Sequence, residues 1–508
     1  MSICIWWRRP PTRPSLPNRS SGTTHTWHRY WKRSRAQAIT SLRPVRFRSG
    51  SVRVTSITEY HPAAGVVVEF TADVTGDAQR SPIPPSFNQR FHLGDLGEAR
   101  RVWIAGTFDV PGRIDVDALA WAFARLIDRH DTLRSSFVQA TDGLDRILHR
   151  PGSVEIAVSN RTEFGCPTEL REHLRRILEL RCDARRFPSY TCVAIDRPDV
   201  STVVCAFDHS NVDALSIAVT VDEVRAWYDA YRRCPSSPNI ELSPVGGFVD
   251  YCRIEATEPA VDRHDERMVR WSEFLVRCGG TTPSFPFDLG LADGETATQA
   301  TLVAPILDAD RTAEFERLCT RSGGGMFAGV VAAIGQACAA MGGPRQIPFL
   351  FPLHTRHEDR FRRALGWFTT NAPMTVDVGD VLVDTIAAAQ REFRAALPLS
   401  TVPIPQVLAS LGDTFTLSRN DVFMVSYIDY TRIEGHRRLE ESNAHHVSNA
   451  TVSDDAQFWV SRTASGLALR ARFPDTVLAH SVMTAFSGAL VALLAEATDQ
   501  AATTALTR

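Results

Sequence analysis

Runs of apolar residues separated by polar segments predict a chain that contains both strands and helices. The run Val203–Phe207 is short, apolar and rich in β-branched residues, as expected for a buried strand. Residues 102–108 and 66–70 predict two further strands in the same half of the chain. After Asp115, which is a suitable N-cap, apolar residues recur at helical spacing through residue 127. The first half therefore combines strands with amphipathic helices.

The second half shows the same mixture of elements. Residues 301–307 predict a strand, and helices are expected after an N-cap at Asp308 or Asp310. Segments 423–433 and 457–475 predict late strands, the second of them a hairpin. An amphipathic helix is predicted near the end of the chain.

Two segments raise the question of a membrane span or a ligand site. Residues 326–341 form the most apolar helix-like run, but they fall short of the ~20 apolar residues that a span needs. No transmembrane segment is therefore expected. His445 and His446 are adjacent, and adjacent side chains cannot share one face of a strand. We expect a solvated loop there rather than a ligand site.

The apolar run 203–207 ends in residues that can carry chemistry, namely Asp208, His209 and, four residues on, Asp213. If the strand continues to His209, its ring shares a face with Cys205, and Asp208 points the other way. An unperturbed imidazole titrates near ~6.5, so this histidine suits a general base that a nearby carboxylate holds in place. In a chain with 15 histidines and 58 acidic residues, the spacing also arises by chance. A metal site is disfavoured because only two ligands are within reach.

The length of 508 residues exceeds what one hydrophobic core usually supports, so two domains are the default. Residues 1–50 carry eleven basic residues and no acidic one, and they show no apolar periodicity. We interpret them as a disordered leader or a mis-assigned start, followed by halves at 51–285 and 286–508. The four tryptophans of the leader leave a peripheral contact with anionic lipid open.

The remaining residues carry 45 Lys and Arg against 58 Asp and Glu. This acidic balance provides no basic face, so nucleic-acid binding is not expected. The ten cysteines are scattered without a CxxC pair, which indicates neither a zinc site nor a disulfide framework. Reduced thiols in a cytosolic protein fit this pattern, and we expect no metal and no cofactor.

The residues around His209 resemble a motif of the condensation-domain and acyltransferase superfamily. The segment DHSNVDA is similar to the family motif HHxxxDG, with His209 as the second histidine and Asp213 as the aspartate. Two positions depart from the motif, because Asp208 replaces the first histidine and Ala214 replaces the glycine.

Other segments strengthen this resemblance. DRHDTLRSSF, residues 128–137, is similar to the family motif RHexLRTxF, in which we interpret Arg134 as a structural ion-pairing residue. GWFTTNAP, residues 366–373, is similar to the family segment IGxFVNTxP. Within the superfamily the chain looks most like polyketide-synthase-associated acyltransferases of mycobacterial type, and the similarity covers about residues 55–490.

The resemblance implies an α/β fold with two chloramphenicol-acetyltransferase-like halves in a V and the motif histidine in a tunnel between them. It implies that Asp213 pairs with an arginine and fixes the loop that carries His209, and Arg356 is the expected partner. Trp367 and Asn371 are expected to line the tunnel.

The two departures from the motif carry expectations of their own. Asp208 is expected to hold the loop or to tune the base. Ala214 would introduce strain if its position required a left-handed backbone. Direct transfer with His209 as the base is favoured over an acyl-enzyme, because Cys205 lies roughly 13 Å away along a strand.

Members of this family move an acyl group from a thioester, on CoA or a carrier protein, to a hydroxyl or an amine. We therefore predict a cytoplasmic O-acyltransferase, at most peripheral at the inner membrane face, whose donor is an acyl-CoA or a polyketide-synthase carrier protein. The predicted acceptor is a sugar or glycolipid, with trehalose or a trehalose derivative first. A stand-alone condensation domain that forms an amide and a non-catalytic scaffold both stay open, as does the oligomeric state.

Overall fold

The computed structural model describes residues 53–94, 101–141, 143–238 and 240–506, with side chains described as far as residue 500. The predicted leader at 1–50 lies outside the described residues. The strands are β1 Arg53–Ser56, β2 Gly65–Val74, β3 Ala78–Arg80, β4 Trp103–Pro111, β5 Ser135–Ala140, β6 Gly143–His149, β7 Val154–Phe164, β8 Tyr190–Asp196, β9 Val200–Asp208, β10 Ala297–Asp308, β11 Gln346–His354, β12 Thr369–Asp377, β13 Met424–Asp429, β14 His445–Ser448, β15 Val452–Ser453, β16 Gln457–Thr463 and β17 Gly466–Pro474. The α-helices are α1 Phe87–His92, α2 Val116–Arg129, α3 Pro167–Arg181, α4 Ala214–Arg233, α5 Phe248–Ala256, α6 Glu266–Arg277, α7 Ala309–Arg321, α8 Met326–Ala340, α9 Leu382–Ala396, α10 Ile404–Leu411, α11 His436–Glu441 and α12 Val477–Leu506.

The first sheet has seven strands in the order β1-β14-β4-β9-β8-β2-β7. Only β1 and β14 run parallel among its described neighbouring pairs. The predicted strand at 203–207 is part of β9 at the centre of this sheet. Val203 and Phe207 pack in the same core as α2 and α4, whereas Val204 and Ala206 pack with α3 on the opposite face. Burial on both faces explains the continuous apolar run.

The second sheet also has seven strands, in the order β12-β11-β13-β16-β17-β10-β15, and its core includes residues of α7, α8, α9 and α12. The strand predicted at 301–307 is part of β10, and the predicted late hairpin is formed by β16 and β17. Asp308 caps α7 by accepting a 2.9 Å hydrogen bond from the Arg311 amide. A third sheet of three strands, β3-β6-β5, lies beside the first half.

Within the described residues, α12 is long and apolar enough over Val477–Gln500 to cross a membrane, and the bent pair α7–α8 would pass the same test only as one broken span. In α12, however, Met483, Phe486 and Leu490 pack into the core of the second sheet.

The second half of the sequence contributes one strand to the first sheet. Residues 445–448 belong to the second half by sequence, yet as β14 they pair with both β1 and β4 of the first sheet. The prediction of a solvated loop at His445–His446 is therefore wrong. His446 is buried, and its Nδ1 lies 3.1 Å from the Tyr430 hydroxyl. Burial, with a contribution from His445, lowers the pKa of His446 to about 3.

Candidate active site

The segment 208–213 forms a short connection between the central strand and helix α4. β9 ends at Asp208, so the strand does not continue to His209. Instead His209 begins a 3₁₀ turn, and its amide donates a 2.8 Å hydrogen bond to the Val102 carbonyl. Ala214 is the first residue of α4 and has no left-handed backbone, so its replacement of the motif glycine introduces no strain of that kind.

The His209 ring is buried with one nitrogen engaged and the other available. Nδ1 lies 2.8 Å from the Val212 carbonyl, which can only accept, so Nδ1 carries the proton of the neutral ring. Nε2 has no partner among the described residues, and the side chain lines a cavity. Burial, with a smaller contribution from neighbouring His92, lowers the pKa of His209 to about 3. The ring is therefore neutral at pH 7 and presents an unprotonated Nε2.

Trp367 stacks on His209, with ring centroids 4.0 Å apart and planes inclined by 21°. The first half of the chain positions the segment that carries this tryptophan. The Ser216 hydroxyl donates to the Gly366 carbonyl at 3.0 Å, and the Phe368 amide donates to Asp213 Oδ2 at 3.2 Å. Gly366 allows this close approach, because a Cβ at that position would lie 2.2 Å from the Phe248 ring.

Asp213 and Arg356 form the ion pair that the family resemblance implied. The guanidinium donates to both carboxylate oxygens, at 2.6 and 2.9 Å. Asp213 also caps α4 by accepting from the Ser216 amide at 2.9 Å. Burial alone would raise the pKa of Asp213, but the charge and hydrogen bonds of Arg356 outweigh it, so this pKa lies below its usual value. The pair joins the His209 loop to the second half of the chain.

Asp208 lies on the other side of the same loop. Its carboxylate accepts from the amides of Ser210, at 2.8 Å, and Ala184, at 3.3 Å. His92 Nε2 lies 2.9 Å from Oδ1, although it is not aligned for a hydrogen bond, and both side chains are fully buried. His92 also packs edge-on against Trp367, with centroids 5.8 Å apart.

Sequence reasoning missed His92, because its partner Asp208 lies in a distant segment. Gln89 on the same helix, α1, also reaches the loop, since its amide donates to the Ser210 carbonyl at 3.0 Å. The only local signal of this role is that His92 and Gln89 lie one helical turn apart, on the face of α1 that packs against residues 208–210.

Two cavities meet at Trp367, which lines both together with Thr369. The first cavity measures 460 Å³ and the second 590 Å³. Asn371, predicted with Trp367 to line a tunnel, lies in the wall of the first cavity. Polar groups of the first cavity include Asn88, Tyr251, Glu255, Glu258 and Asn371. The second cavity contains His209 and Asp213, together with Leu215, Val219, Leu353, His354, Arg356, Arg362, Arg363, Tyr427 and Arg432.

Other residues noted in the sequence have structural positions. Arg134 is buried and donates to the His149 carbonyl at 2.6 Å. Cys205 is paired across the sheet with Cys192 and takes no part in the cavity that contains His209. In the described part of the chain, no group of three or more His, Cys, Asp or Glu side chains is arranged to hold a metal ion.

Two α/β halves, with a neutral histidine beside cavities at their junction, define the class of chloramphenicol-acetyltransferase-like acyltransferases. The chain belongs to the condensation-domain family, whose model matches residues 83–505. It is 26% identical to the acyltransferase PapA3 of Mycobacterium tuberculosis over 85% of this chain and 94% of that one. It is 27% identical to the trehalose-2-sulfate acyltransferase PapA2 of the same species, over 88% of this chain and 97% of that one.

A solved structure of a PapA2 acyl transferase superimposes with a TM-score of 0.78 and 25% identity, over 88% of this chain and 100% of that one. The predicted α/β fold with two acetyltransferase-like halves is thereby confirmed, as is the resemblance to the mycobacterial acyltransferases. The chain is an acyltransferase of this family.

Proposed function

We propose that this protein transfers a fatty or polyketide acyl group from a thioester to a hydroxyl of a sugar, in the synthesis of a cell-envelope glycolipid. The donor is an acyl-CoA or an acyl chain on a polyketide-synthase carrier protein. The acceptor is trehalose or a trehalose derivative. Support comes from the relatives, one of which is named for trehalose-2-sulfate, and from the arrangement around His209.

In this proposal His209 acts as the general base. Its Nε2 takes the proton of the acceptor hydroxyl as the oxygen attacks the thioester carbonyl. A C–O bond forms, the C–S bond breaks, and the imidazolium returns the proton to the departing thiolate. A pKa of about 3 makes His209 a weak base, so the proton moves together with the attack and not before it. Asp213 and Arg356 position the loop and do not exchange protons.

The observation that carries the proposal is the orientation of the His209 ring. Because Nδ1 is fixed on the Val212 carbonyl at 2.8 Å, the basic nitrogen is the one on the cavity side. Trp367 holds the ring plane by stacking on it at 4.0 Å. A neutral imidazole with this fixed tautomer needs no nucleophilic side chain beside it, since a thioester is already activated.

The test is the substitution His209→Ala in the full-length protein. We expect transfer from a long-chain acyl-CoA to trehalose, followed by CoA release and product mass, to fall by about 10² to 10⁴. His264→Ala, which changes an exposed histidine, is the matched control and should retain full activity. A folded His209→Ala protein with near wild-type turnover would refute the proposed mechanism.

Amide formation is the second candidate, and one observation favours it. Glu255 and Glu258 line the first cavity, and carboxylates also hold ammonium groups. Mass spectrometry of the product separates an ester from an amide directly. A protein that binds acyl-CoA tightly and transfers to no acceptor, despite an intact His209, would instead be a scaffold.

We place the reaction in the cytoplasm, where both proposed thioester donors are made.

A further inference from the structure

His130 is a buried histidine in the segment DRHDTLRSSF, and the proposed mechanism does not use it. It has Glu223 of helix α4 on one side and Leu365 on the other. His130 Nε2 is 3.0 Å from Glu223 Oε2, and the Leu365 amide nitrogen is 3.3 Å from His130 Nδ1. The ring therefore connects a carboxylate of the first half to a backbone amide of the second half.

Glu223 is held in place as an ionised carboxylate. Its side chain has no exposed surface, and a guanidinium nitrogen of Arg129 and one of Arg363 each lie 3.3 Å from its carboxylate oxygens. Burial alone would raise the pKa of Glu223, but the hydrogen bond from His130 and the charges of the two arginines outweigh it, so this pKa lies below its usual value. An ionised carboxylate can only accept hydrogen bonds, so this contact requires a proton on His130 Nε2.

The contact with Leu365 determines the state of the other ring nitrogen. A backbone amide can only donate, so His130 Nδ1 accepts from Leu365 and carries no proton. With its proton on Nε2, the ring is neutral and both of its nitrogens are engaged. Glu223 therefore holds His130 in the one tautomer that can accept from Leu365.

Leu365 lies two residues before Trp367, whose ring stacks on the candidate base. Its side chain packs in the core of the first sheet, although it comes from the second half of the sequence. Gly366 and Phe368, which flank Trp367, each bond to a side chain of the first half. The His130 contact extends this anchoring of the backbone to the residue before Gly366.

We propose that His130, held in this tautomer by Glu223, is a positioning residue for acyl transfer. Its contact with the Leu365 amide fixes the backbone that places Trp367 against His209. Neither His130 nor Glu223 is among the described residues that line the two cavities, so their effect reaches the reaction through this segment. Misplacing a catalytic group by about 1 Å can lower a rate by about 10²-fold. The inference rests on the proposed function, because it takes His209 as the base.

Two substitutions of His130 separate its two contacts. In His130→Asn, the side-chain oxygen can take the place of Nδ1 and accept from Leu365, but the side chain is too short to reach Glu223. In His130→Gln, the side-chain nitrogen can take the place of Nε2 and donate to Glu223, but the acceptor for Leu365 is lost. Each variant loses one buried hydrogen bond, so we expect similar losses of stability. A difference in kcat between them then reports the contact with Leu365.

The assay measures CoA release and the mass of the ester for the full-length protein, with palmitoyl-CoA as donor and trehalose as acceptor. We expect His130→Gln to lower kcat about tenfold and to change KM by less than about twofold, because the cavities stay intact. His130→Asn should keep kcat within about threefold of the wild type. Asp229→Asn changes a partly exposed carboxylate elsewhere on α4, is the control, and should leave both constants unchanged.

A double-mutant cycle tests whether Trp367 transmits the effect. In Trp367→Ala, the further change His130→Gln should lower kcat by less than about twofold, because the ring that the contact positions is absent. A further loss of about tenfold in that background would overturn the inference, since His130 would then act by another route.

The outcomes separate this inference from the proposed function. Equal losses of kcat in His130→Gln and His130→Asn would overturn the inference while acyl transfer stands. If the wild type acylates no acceptor, the proposed function fails, and the indole N–H resonance of Trp367 in an NMR spectrum then decides the inference. This resonance, assigned by its absence in Trp367→Phe, should shift in His130→Gln and keep its position in His130→Asn. Equal shifts in the two variants, or no shift in either, would refute the inference.

Discussion

Asp213 has three roles at the residue scale, and each depends on its negative charge. It caps helix α4, it accepts two hydrogen bonds from Arg356, and it accepts the Phe368 amide from the segment that carries Trp367. Arg356 is itself buried at 5% exposure and stacks on the Phe368 ring at 4.3 Å. Loss of the carboxylate charge would therefore leave a buried guanidinium without its counter-ion.

We expect Asp213→Asn to lower the free energy of unfolding by about 3 to 5 kcal/mol, the cost of removing one partner of a buried ion pair. Because the folded pKa of Asp213 lies below its unfolded value, the contribution is complete at neutral pH and is lost only in acid, below about pH 4. Urea denaturation at pH 7 measures it. Asp265→Asn, at the half-buried N-cap of α6, is the control and should change stability far less. Equal effects of the two substitutions would mean that Asp213 is merely solvated.

His92 and Asp208 explain how the chain tolerates an aspartate where the family motif has a histidine. Asp208 keeps the loop closed through the Ser210 amide, and His92 Nε2 lies 2.9 Å from its carboxylate. Through the edge of Trp367, His92 also supports the surface on which His209 stacks. The two residues therefore act as one unit behind the candidate base.

A double-mutant cycle tests this coupling. Asp208→Asn keeps the shape of the carboxylate, and His92→Gln keeps a polar side chain. If the pair acts as a unit, the double variant should cost about 1 to 3 kcal/mol less than the sum of the single variants, measured by denaturation. The single variants should lower kcat more than they raise KM, because they displace His209 and leave the cavities intact. Strictly additive costs would show that the contact contributes nothing.

Part of the site could be predicted from the sequence, because the family motif implies how its residues are arranged. The motif names the positions of His209 and Asp213 and implies an arginine partner, and Arg356 lies where that pattern requires. The role of His92 could not be predicted in this way, because one histidine on a six-residue helix has no periodicity or spacing that indicates its contact. The condition under which Ala214 would be strained is not met, because a helix begins at that residue and its backbone is not left-handed.

At the scale of elements, local sequence patterns predicted the helices and strands whose formation depends on neighbouring residues. The helix after Asp115 forms as expected, because an N-cap and a regular apolar face are both encoded within one segment. β14 is the opposite case. Its sequence, HHVS, looks polar, and its burial comes from pairing with β1 and β4, which lie far away in the chain. No local pattern carries that information.

The buried histidine of β14 makes stability depend on pH. The pKa of His446 is about 3 in the folded protein and ~6.5 when unfolded, so the unfolded state binds the extra proton and stability falls as pH drops below about 6.5. At pH 5 this single group costs about 2 kcal/mol. Between pH 8 and pH 5, we expect the free energy of unfolding to fall by about 2 kcal/mol less in His446→Gln than in the wild type. Urea denaturation at both pH values measures this difference. Parallel losses in the two proteins would show that His446 does not titrate on unfolding.

At the scale of the whole molecule, two connections join the halves across the boundary near residue 285 that the sequence predicts. The Asp213–Arg356 pair joins them at the loop that carries His209. Strand β14 joins them a second time, because it comes from the second half and supplies the only described partner of β1 in the first sheet. The candidate site depends on both connections, since His209 comes from the first half and Trp367 from the second.

A fragment that ends at residue 285 should therefore fail to fold alone. It would lack β14, which leaves β1 without a neighbour and exposes the edge of β4, and an open edge of a hydrophobic sheet promotes aggregation. The Arg356 side chain that neutralises buried Asp213 would also be missing. We expect residues 1–285 to be insoluble or to unfold without a cooperative transition, and co-expression with residues 286–508 to restore a soluble complex. Full-length protein should unfold in a single transition, because the first sheet lacks β14 without the second half, and either half alone contains only one partner of the buried Asp213–Arg356 pair. A soluble 1–285 fragment with its own cooperative thermal transition would show that β14 is dispensable and that the halves are independent domains.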